Sequence, residues 1–580
     1  FAFALLQGVD IVAQRFDWPP AVERYLILAL IVGFFVVLVL AWYHGEKGAQ
    51  RIGGMEIMIL ALLLAIGGGL IWRFGAVAKA PHVMQVAKTT TPAASVEQAP
   101  AKTSPSIPAA GIPEKSVAVL PFANMSGDPK QQFFSDGLSE DLINTLSQYQ
   151  GLKVISRDSA FQFRDSKDSS AKIGKLLGVA HLLEGSVQRA GDEVRITATL
   201  VDAANGSIVW SQRYDKPYTD LFKLQDAITD AVATALRTQL VTAPGAVLQT
   251  DRPPSGSLAA YTAYQQGNAD SGQGTEAGFR KAIADYQTAI RLDPNYAAAY
   301  ARLAAGWLNL GGAFLADPGK IAQAYAKARA AVATSLKLDP DSASGHDARS
   351  NLLTNVDMDW DGAEIEARRM LQLAPTNAGA KYALATRLAT LGRVLDAVKL
   401  TRQALTSDPR NANWYNWLGG YLTSLGRLDE ATTAANRAIA LQPGAIDFHE
   451  QLAVIAVLRG QPKVALAAAQ KEPSGPWHDI AMALALQIGP DRKSADAALQ
   501  SLITKYPKTA PYQIAEVYAL RKDPDTMFQW LDRAWSNRDP GIANLLYDPF
   551  ILRYRNDPRF AAFCKKVGLP TTTDAVAIKM

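Results

Sequence analysis

Along this chain the spacing of apolar and polar positions changes character from one stretch to the next. Tyr25 to Tyr43 is apolar almost throughout, with Phe34, Phe35 and Trp42 and no charge, about the length a helix needs to cross a bilayer core. Ile57 to Trp72 is a shorter apolar run containing Gly67-Gly68-Gly69, and Trp72 with Arg73 makes an interfacial end. Residues 25–43 and 55–72 are therefore expected to be transmembrane helices. Residues 1–16 read as part of an earlier span, turned back by Asp17-Trp18-Pro19-Pro20. From Val77 to Lys115 the composition shifts to Ala, Pro, Thr and Ser, with prolines at 81, 92, 100, 105, 108 and 113, which predicts a semi-extended tether.

At Ser116 the pattern turns mixed. Val117 to Phe122 reads as a buried strand, Phe133 to Tyr149 as an amphipathic helix, Leu152 to Ser156 as a strand, and Ala171 to Leu177 as a helix. Strands are expected over Val179–Val187, Val194–Asp202 and Ser207–Tyr214, separated by the turn signals Gly191-Asp192 and Asn205-Gly206. Val194, Ile196, Ala198 and Leu200 alternate with Arg195, Thr197 and Thr199, so one face of that strand is buried. A helix over Leu221–Leu240 closes a small α+β domain at 116–240.

After a polar connector, helical periodicity continues to the C-terminus. Pro340, Pro375, Pro409 and Pro443 are separated by 35, 34 and 34 residues, and each ends a helical run. Three of the tails place a leucine two residues before the proline, at Leu338, Leu373 and Leu441; Ser407-Asp408-Pro409 is the variant. Small residues recur at fixed offsets: Ala385, Gly392, Ala397 and Ala404 in one unit, Gly419, Gly426, Ala431 and Ala438 in the next. Close packing of the two helices in each unit requires them. The pattern resembles the tetratricopeptide repeat (TPR) family, whose helix pairs bury their apolar faces only by stacking on neighbours. The expected array spans 258–569. One unit is stretched to 46 residues by an insertion around Gly311 to Gly319, and Tyr512–Leu569 resembles a terminal cap. Residues 570–580 are expected to form a disordered tail.

The 116–240 segment resembles the TolB N-terminal-like domain that precedes TPR arrays in bacterial membrane proteins. The matching residues are Ser116 to Phe122 with Asn124, Ser126 and Asp128-Pro129, then Phe134 and Asp136-Gly137. Val154 to Arg157, Leu183 to Val187, Val194 to Ile196, Trp210 and Tyr214-Asp215 complete the match. Lys47 and Arg51 between the two spans balance Arg73 and Lys79 beyond the second, so charge sets no orientation. The resemblance implies an inner-membrane anchor with both following modules in the periplasm. The fold class expected is thus multi-domain: transmembrane helices, a small α+β TolB N-terminal-like domain, and an all-α TPR superhelix.

A net charge of +5 over 580 residues, without clustered basic residues, leaves no electrostatic footprint for nucleic acid. The single cysteine, Cys564, permits no intramolecular disulfide and has no histidine nearby in sequence. His44, His82, His181, His346, His449 and His478 do not stand at metal-ligand spacing from one another. No phosphate-loop or dinucleotide fingerprint occurs. Asp136, Glu140 and Asp141 fall at the start of a predicted helix, where acidic residues favour the helix dipole. No catalytic constellation, metal site or cofactor is expected.

The remaining functional surface is the concave side of the array, lined by the first helix of each pair. The offsets place Tyr382, Thr386, Asn413, Asn416 and Glu450 there as candidate partner-binding residues. The expected function is a membrane-anchored, non-catalytic scaffold for a protein or peptide partner. The alternative is the sensor half of a signal transducer. The chain opens on Phe1 rather than methionine, which reads as a fragment; a cyclase or winged-helix output domain would then lie upstream.

Overall fold

The computed structural model describes residues 111–149, 151–237, 250–315 and 317–578. The α/β part begins with strands β1 (Ser116–Val119) and β2 (Ala123–Asn124), helix α1 (Gln132–Leu146) and strand β3 (Lys153–Val154). Two short helices follow, α2 (Arg157–Ala160) and α3 (Ser170–Leu177). A meander of β4 (His181–Ala190), β5 (Glu193–Asp202) and β6 (Ile208–Pro217) then leads into α4 (Leu221–Ala235). The strand order is β3-β1-β4-β5-β6, with β2 also on β4; β1 is parallel to both neighbours and β4-β5-β6 are antiparallel. Val119, Leu183, Ile196, Ala198 and Leu200 form one face under α1 and α4, against Phe134, Leu138, Leu142, Ile228 and Val232. Ala118, Ile155 and Leu182 form the opposite face, under α2 and α3. The sheet is therefore sandwiched between helices, which explains the unbroken apolar run at Val117–Leu120.

The helical array pairs α5 (Leu258–Ser271) with α6 (Glu276–Leu292), and α7 (Ala297–Ala313) with α8 (Pro318–Leu338). Next come α9 (Ala343–Leu352) with α10 (Trp360–Leu373), and α11 (Ala378–Thr390) with α12 (Val394–Ser407). These are followed by α13 (Ala412–Ser424) with α14 (Leu428–Leu441), and α15 (Phe448–Leu458) with α16 (Pro462–Ala469). The stack continues through α17 (Pro476–Gln487), α18 (Arg492–Lys505), α19 (Pro511–Leu520) and α20 (Pro524–Ser536). Two 3₁₀ segments and α21 (Pro558–Lys566) complete it.

The repeat has a local cause. The stops at Pro340, Pro375 and Pro409 are each followed two residues later by the N-cap of the next first helix. Ser342, Asn377 and Asn411 accept from the backbone N–H of Gly345, Ala380 and Trp414 at 3.1, 3.0 and 3.1 Å. In the pairs α11/α12, α13/α14 and α15/α16 the inner turn is closed by glycine in the left-handed region, at Gly392 (φ 76°), Gly426 (φ 71°) and Gly460 (φ 66°). Ala385, Ala397, Ala404, Ala431 and Ala438 are fully buried where the helices touch.

Two sequence expectations are corrected and one is given its structural form. First, among the described residues no helix is long and apolar enough to cross a membrane. The longest of those named, α8, has 21 residues but carries Lys320, Lys327, Arg329 and Lys337. Among the described residues the fold is thus a small α/β domain with an all-helical TPR superhelix and no transmembrane helix, and a membrane partner has no support. The stretches 1–16, 25–43 and 55–72 lie outside the described residues. Second, the insertion near Gly311 is accommodated in the helices. It lengthens α7 and α8 to 17 and 21 residues, against 13 and 14 in α11 and α12. Gly311 makes room for Tyr325, whose ring would lie 2.7 Å from a Cβ at that position.

Third, residues 571–578 are not a free tail. The Asp574 carboxylate accepts from the N–H groups of Val394 and Leu395 at 2.7 and 3.0 Å, capping the start of α12. Its own N–H donates to Gly392 O at 3.0 Å, Val576 N–H donates to Ser424 O at 2.8 Å, and Ala575 is buried. Arg393, the residue before α12, offers no side-chain cap, so the tail supplies one from outside. Asp574→Ala is expected to lower unfolding free energy by about 1 kcal/mol. Denaturant titration of both proteins checks this; an unchanged midpoint would mean the segment is not docked.

Candidate functional site

The concave face is built from the first helices α11, α13 and α15. Tyr382 on α11 stacks on Trp414 of α13, centroids 4.8 Å apart and planes 19° from parallel. Thr386 serves its own helix: its hydroxyl donates to Ala383 O at 2.8 Å and accepts from Arg387 Nη1 at 3.0 Å. Asn413 is exposed, one turn before the exposed Trp417. Asn416 is buried; its Nδ2 donates to Asp447 Oδ1 at 3.1 Å, while its Oδ1 has no partner. Glu450 lies in the first turn of α15. The structure therefore joins Tyr382 to Trp414, and Asn416 to the Asp447–Glu450 turn. Thr386 and Asn413 stand apart.

Helix α15 begins differently from its predecessors. Two residues after Pro443 stands Ala445, which cannot cap, and Asp447 enters the left-handed region at φ 70°. The cap comes from Glu472, in the loop between α16 and α17. Its buried carboxylate accepts from the N–H groups of Asp447, His449 and Glu450 at 2.6, 3.0 and 3.0 Å. A negative charge at a helix N-terminus is favourable, but this one crowds its neighbours. Burial, reinforced by Glu472, pushes the Asp447 carboxyl up to about 7. Burial, then Asp447, Glu472 and Asp548, pushes Glu450 up to about 8. On α19, burial and then Asp548 hold the Glu516 carboxyl well above the usual range.

The end of the groove is closed by the chain itself. Tyr547 packs edge-on against Tyr421 at 5.5 Å, and Tyr512 Oη donates to Asp548 Oδ2 at 3.0 Å. Further out, Trp360 Nε1 donates to Val567 O at 2.8 Å and Arg538 Nη1 to Val356 O at 2.7 Å, so the C-terminal cap folds back onto α10. Sequence reasoning missed Trp414, Trp417, Tyr421, Glu472, Glu516, Tyr547 and Asp548. The spacing Trp414, Trp417, Tyr421 along α13 was a readable signal; the acids, which converge from distant elements, gave none.

The other end of the groove is covered by the α/β domain. Ser156 N–H donates to Ser407 O at 2.8 Å, Ser159 Oγ donates to Asp408 Oδ1 at 2.5 Å, and Arg410 N–H donates to Ser159 Oγ at 2.9 Å. Arg410 Nε reaches Gln162 Oε1 at 2.7 Å, and Thr376 Oγ1 reaches Ser147 O at 2.5 Å. Burial pushes Asp408 up to about 6 despite its bonds from Ser159 and Asn411. The departure at Ser407-Asp408-Pro409 from the leucine pattern thus marks the docking point. Between α1 and the array lies a chamber of about 410 Å³, lined by Glu140, Asn144, Arg157, Arg302, Tyr286 and Trp414 among others.

The other candidate groups have structural partners. Asp136 pairs with Arg164 at 2.7 Å, Glu140 with Arg157 at 3.2 Å, and Asp141 accepts from Gln225 at 2.8 Å. His346 Nδ1 lies 2.5 Å from Glu366. His44 and His82 lie outside the described residues. Cys564 is buried, its thiol pushed up to about 11 by burial.

Comparison with known proteins adds two family matches. Residues 382–446 match the tetratricopeptide repeat model, and residues 113–231 match one described as the HilA/YgeH-like transcriptional regulator, second domain. A Rhizobium meliloti (strain 1021) protein named "Putative adenylate cyclase 3" is 45% identical over 130 residues; the matched stretch is 22% of this chain and 22% of that relative's length. Among solved structures, Pseudomonas aeruginosa PilF is 18% identical at TM-score 0.30, covering 38% of this chain and 96% of its own. PilW, a type IV pilus biogenesis factor, is 18% identical at TM-score 0.32, over 38% and 97%. YrrB, a TPR protein with an unusual peptide-binding site, is 20% identical at TM-score 0.26, over 37% and 97%. The chain carries a TPR repeat region joined to a small α/β domain.

The acids of the groove make a pH test. Glu450 titrates near 8 in the fold against an ordinary 4.5, so the folded state holds its proton more tightly than the unfolded chain. Its stabilising effect is complete below about pH 4.5 and is lost as pH rises towards 8. Glu450→Gln removes that loss. The variant should gain about 3.5 kcal/mol on the wild type between pH 5 and pH 8, read by denaturant unfolding at both values; a pH-independent difference would refute the assignment.

Proposed function

We propose that this chain is a non-catalytic interaction module whose TPR array binds a protein or peptide partner. The observation that carries this reading is the exposed pair Asn413 and Trp417, one turn apart on the first helix of its repeat. Trp417 remains 38% exposed beside the Tyr382–Trp414 stack. An accessible tryptophan set against rigid aromatic neighbours is the kind of anchor that dominates partner binding. The covering of the groove by α1 at one end and by the C-terminal cap at the other limits a partner to this rim. Reading 116–240 as TolB N-terminal-like belongs to the same proposal and rests on the motif residues alone.

A second reading, the regulatory half of a signalling protein, is supported by the relative named as an adenylate cyclase and by the family match to a transcriptional regulator's second domain. On that reading the array is the input and an output domain precedes residue 1. Sequencing the coding region upstream checks it.

For the first reading, the full-length chain is screened against a random peptide library displayed on phage. Binders should lose about tenfold in affinity with Trp417→Ala. Failure to select any binder, or binders indifferent to both Trp417→Ala and Asn413→Ala, would overturn it.

A further inference from the structure

The chamber between α1 and the array belongs neither to the exposed rim nor to the acid cluster of α15. Its volume of about 410 Å³ falls within the roughly 300–1,000 Å³ typical of small-molecule sites. Its charged groups are unequally committed. Glu140 is paired with Arg157 at 3.2 Å, Asp408 accepts from Ser159 and Asn411, and Asp158 is exposed to solvent. Arg302, on α7, is the exception. Its Nε makes a long bond of 3.5 Å to Tyr264 Oη, and among the described residues no carboxylate lies within ion-pair distance of it. Tyr264, then Tyr286, Asp251 and Glu140, hold its guanidinium cationic against burial. A guanidinium offers five donors in a planar fork suited to a carboxylate or phosphate, and here Arg302 lines the chamber with no hydrogen-bond partner for Nη1 or Nη2 among the described residues.

Two neighbours favour the same chemistry. The first turn of α11 contributes Ala378 and Gly379 to the wall, bringing the positive end of a 13-residue helix to the space. Asn144, Asn268 and Trp414 supply amide groups and an aromatic wall. We propose that this chamber is a binding site for a small organic anion, a carboxylate- or phosphate-bearing molecule anchored by Arg302. Because α1 forms one wall and the array the other, an occupant contacts both and holds them together. This site shares Trp414 with the Trp417 rim but does not require a partner there.

The test uses the full-length chain and two probes, inorganic phosphate and succinate, each titrated at constant ionic strength while the thermal midpoint is followed. A saturating rise with at least one probe is expected, and the responsive probe identifies the class of anion. Arg302→Gln should weaken the apparent affinity about tenfold or more. Because removing a half-buried arginine can disturb folding, Asn144→Phe is measured alongside. It leaves Arg302 in place, fills the chamber from α1, and should abolish saturation while the far-ultraviolet circular dichroism is unchanged. Absence of saturation with both probes, an unchanged apparent affinity in Arg302→Gln, or saturation retained in Asn144→Phe would overturn the proposal.

Discussion

A helix pair in this array has no core of its own: Ala385, Ala397, Ala404, Ala431 and Ala438 are buried because neighbouring helices lie against them. Every other feature follows from that dependence. A stack of such pairs curves, and its inner face must meet water, a partner or another part of the same chain. Here the same chain covers much of it. Helix α1 lies along one end, with its domain pinned at Ser407, Asp408 and Arg410, and the C-terminal cap seals the other through Tyr547, Asp548 and Val567.

Covering the inner face has an electrostatic cost, concentrated around α15. Ala445 stands where earlier units have a capping side chain, and the buried Glu472 takes over by accepting three backbone N–H groups. That solves the helix terminus but sets Asp447 and Glu450 beside a carboxylate in a poorly solvated space, raising both. Local cap chemistry and long-range charge are thus the same problem seen at two distances. Replacing a cap by a distant side chain satisfies the backbone while burdening the neighbouring acids.

Much of the array could be read in advance because its determinants are local. Proline stops, caps two residues later, and glycines at the inner turns lie within a few residues of what they control, as do the alternating apolar positions of β5. The groove was less legible. Tyr382 and Glu450 were placed on first helices, but that Tyr382 would stack on Trp414, or Glu450 lie beside Glu472, depends on contacts between separate elements. The variant Ser407-Asp408-Pro409 was visible as an irregularity, and only the docked domain gives it meaning. The tail at 571–578 was misread for the same reason. Its sequence has no strong periodicity, and its order comes from Gly392, Val394 and Ser424, about 150 to 180 residues away in the chain.

The bond from Trp360 to Val567 joins residues 207 positions apart, and its effect reaches beyond geometry. An open solenoid can begin to fold anywhere and fray from its ends, because each unit answers only to its neighbours. Once the cap is tied back to α10, the last helices have two sets of neighbours, and neither end of the tied segment is free to fray alone. Such a segment must close a long loop before its final contacts form, which slows folding and makes unfolding more nearly all-or-none. Helices α5 to α9 lie outside that tie, so the two halves of one array differ in cooperativity although they are built from the same repeat.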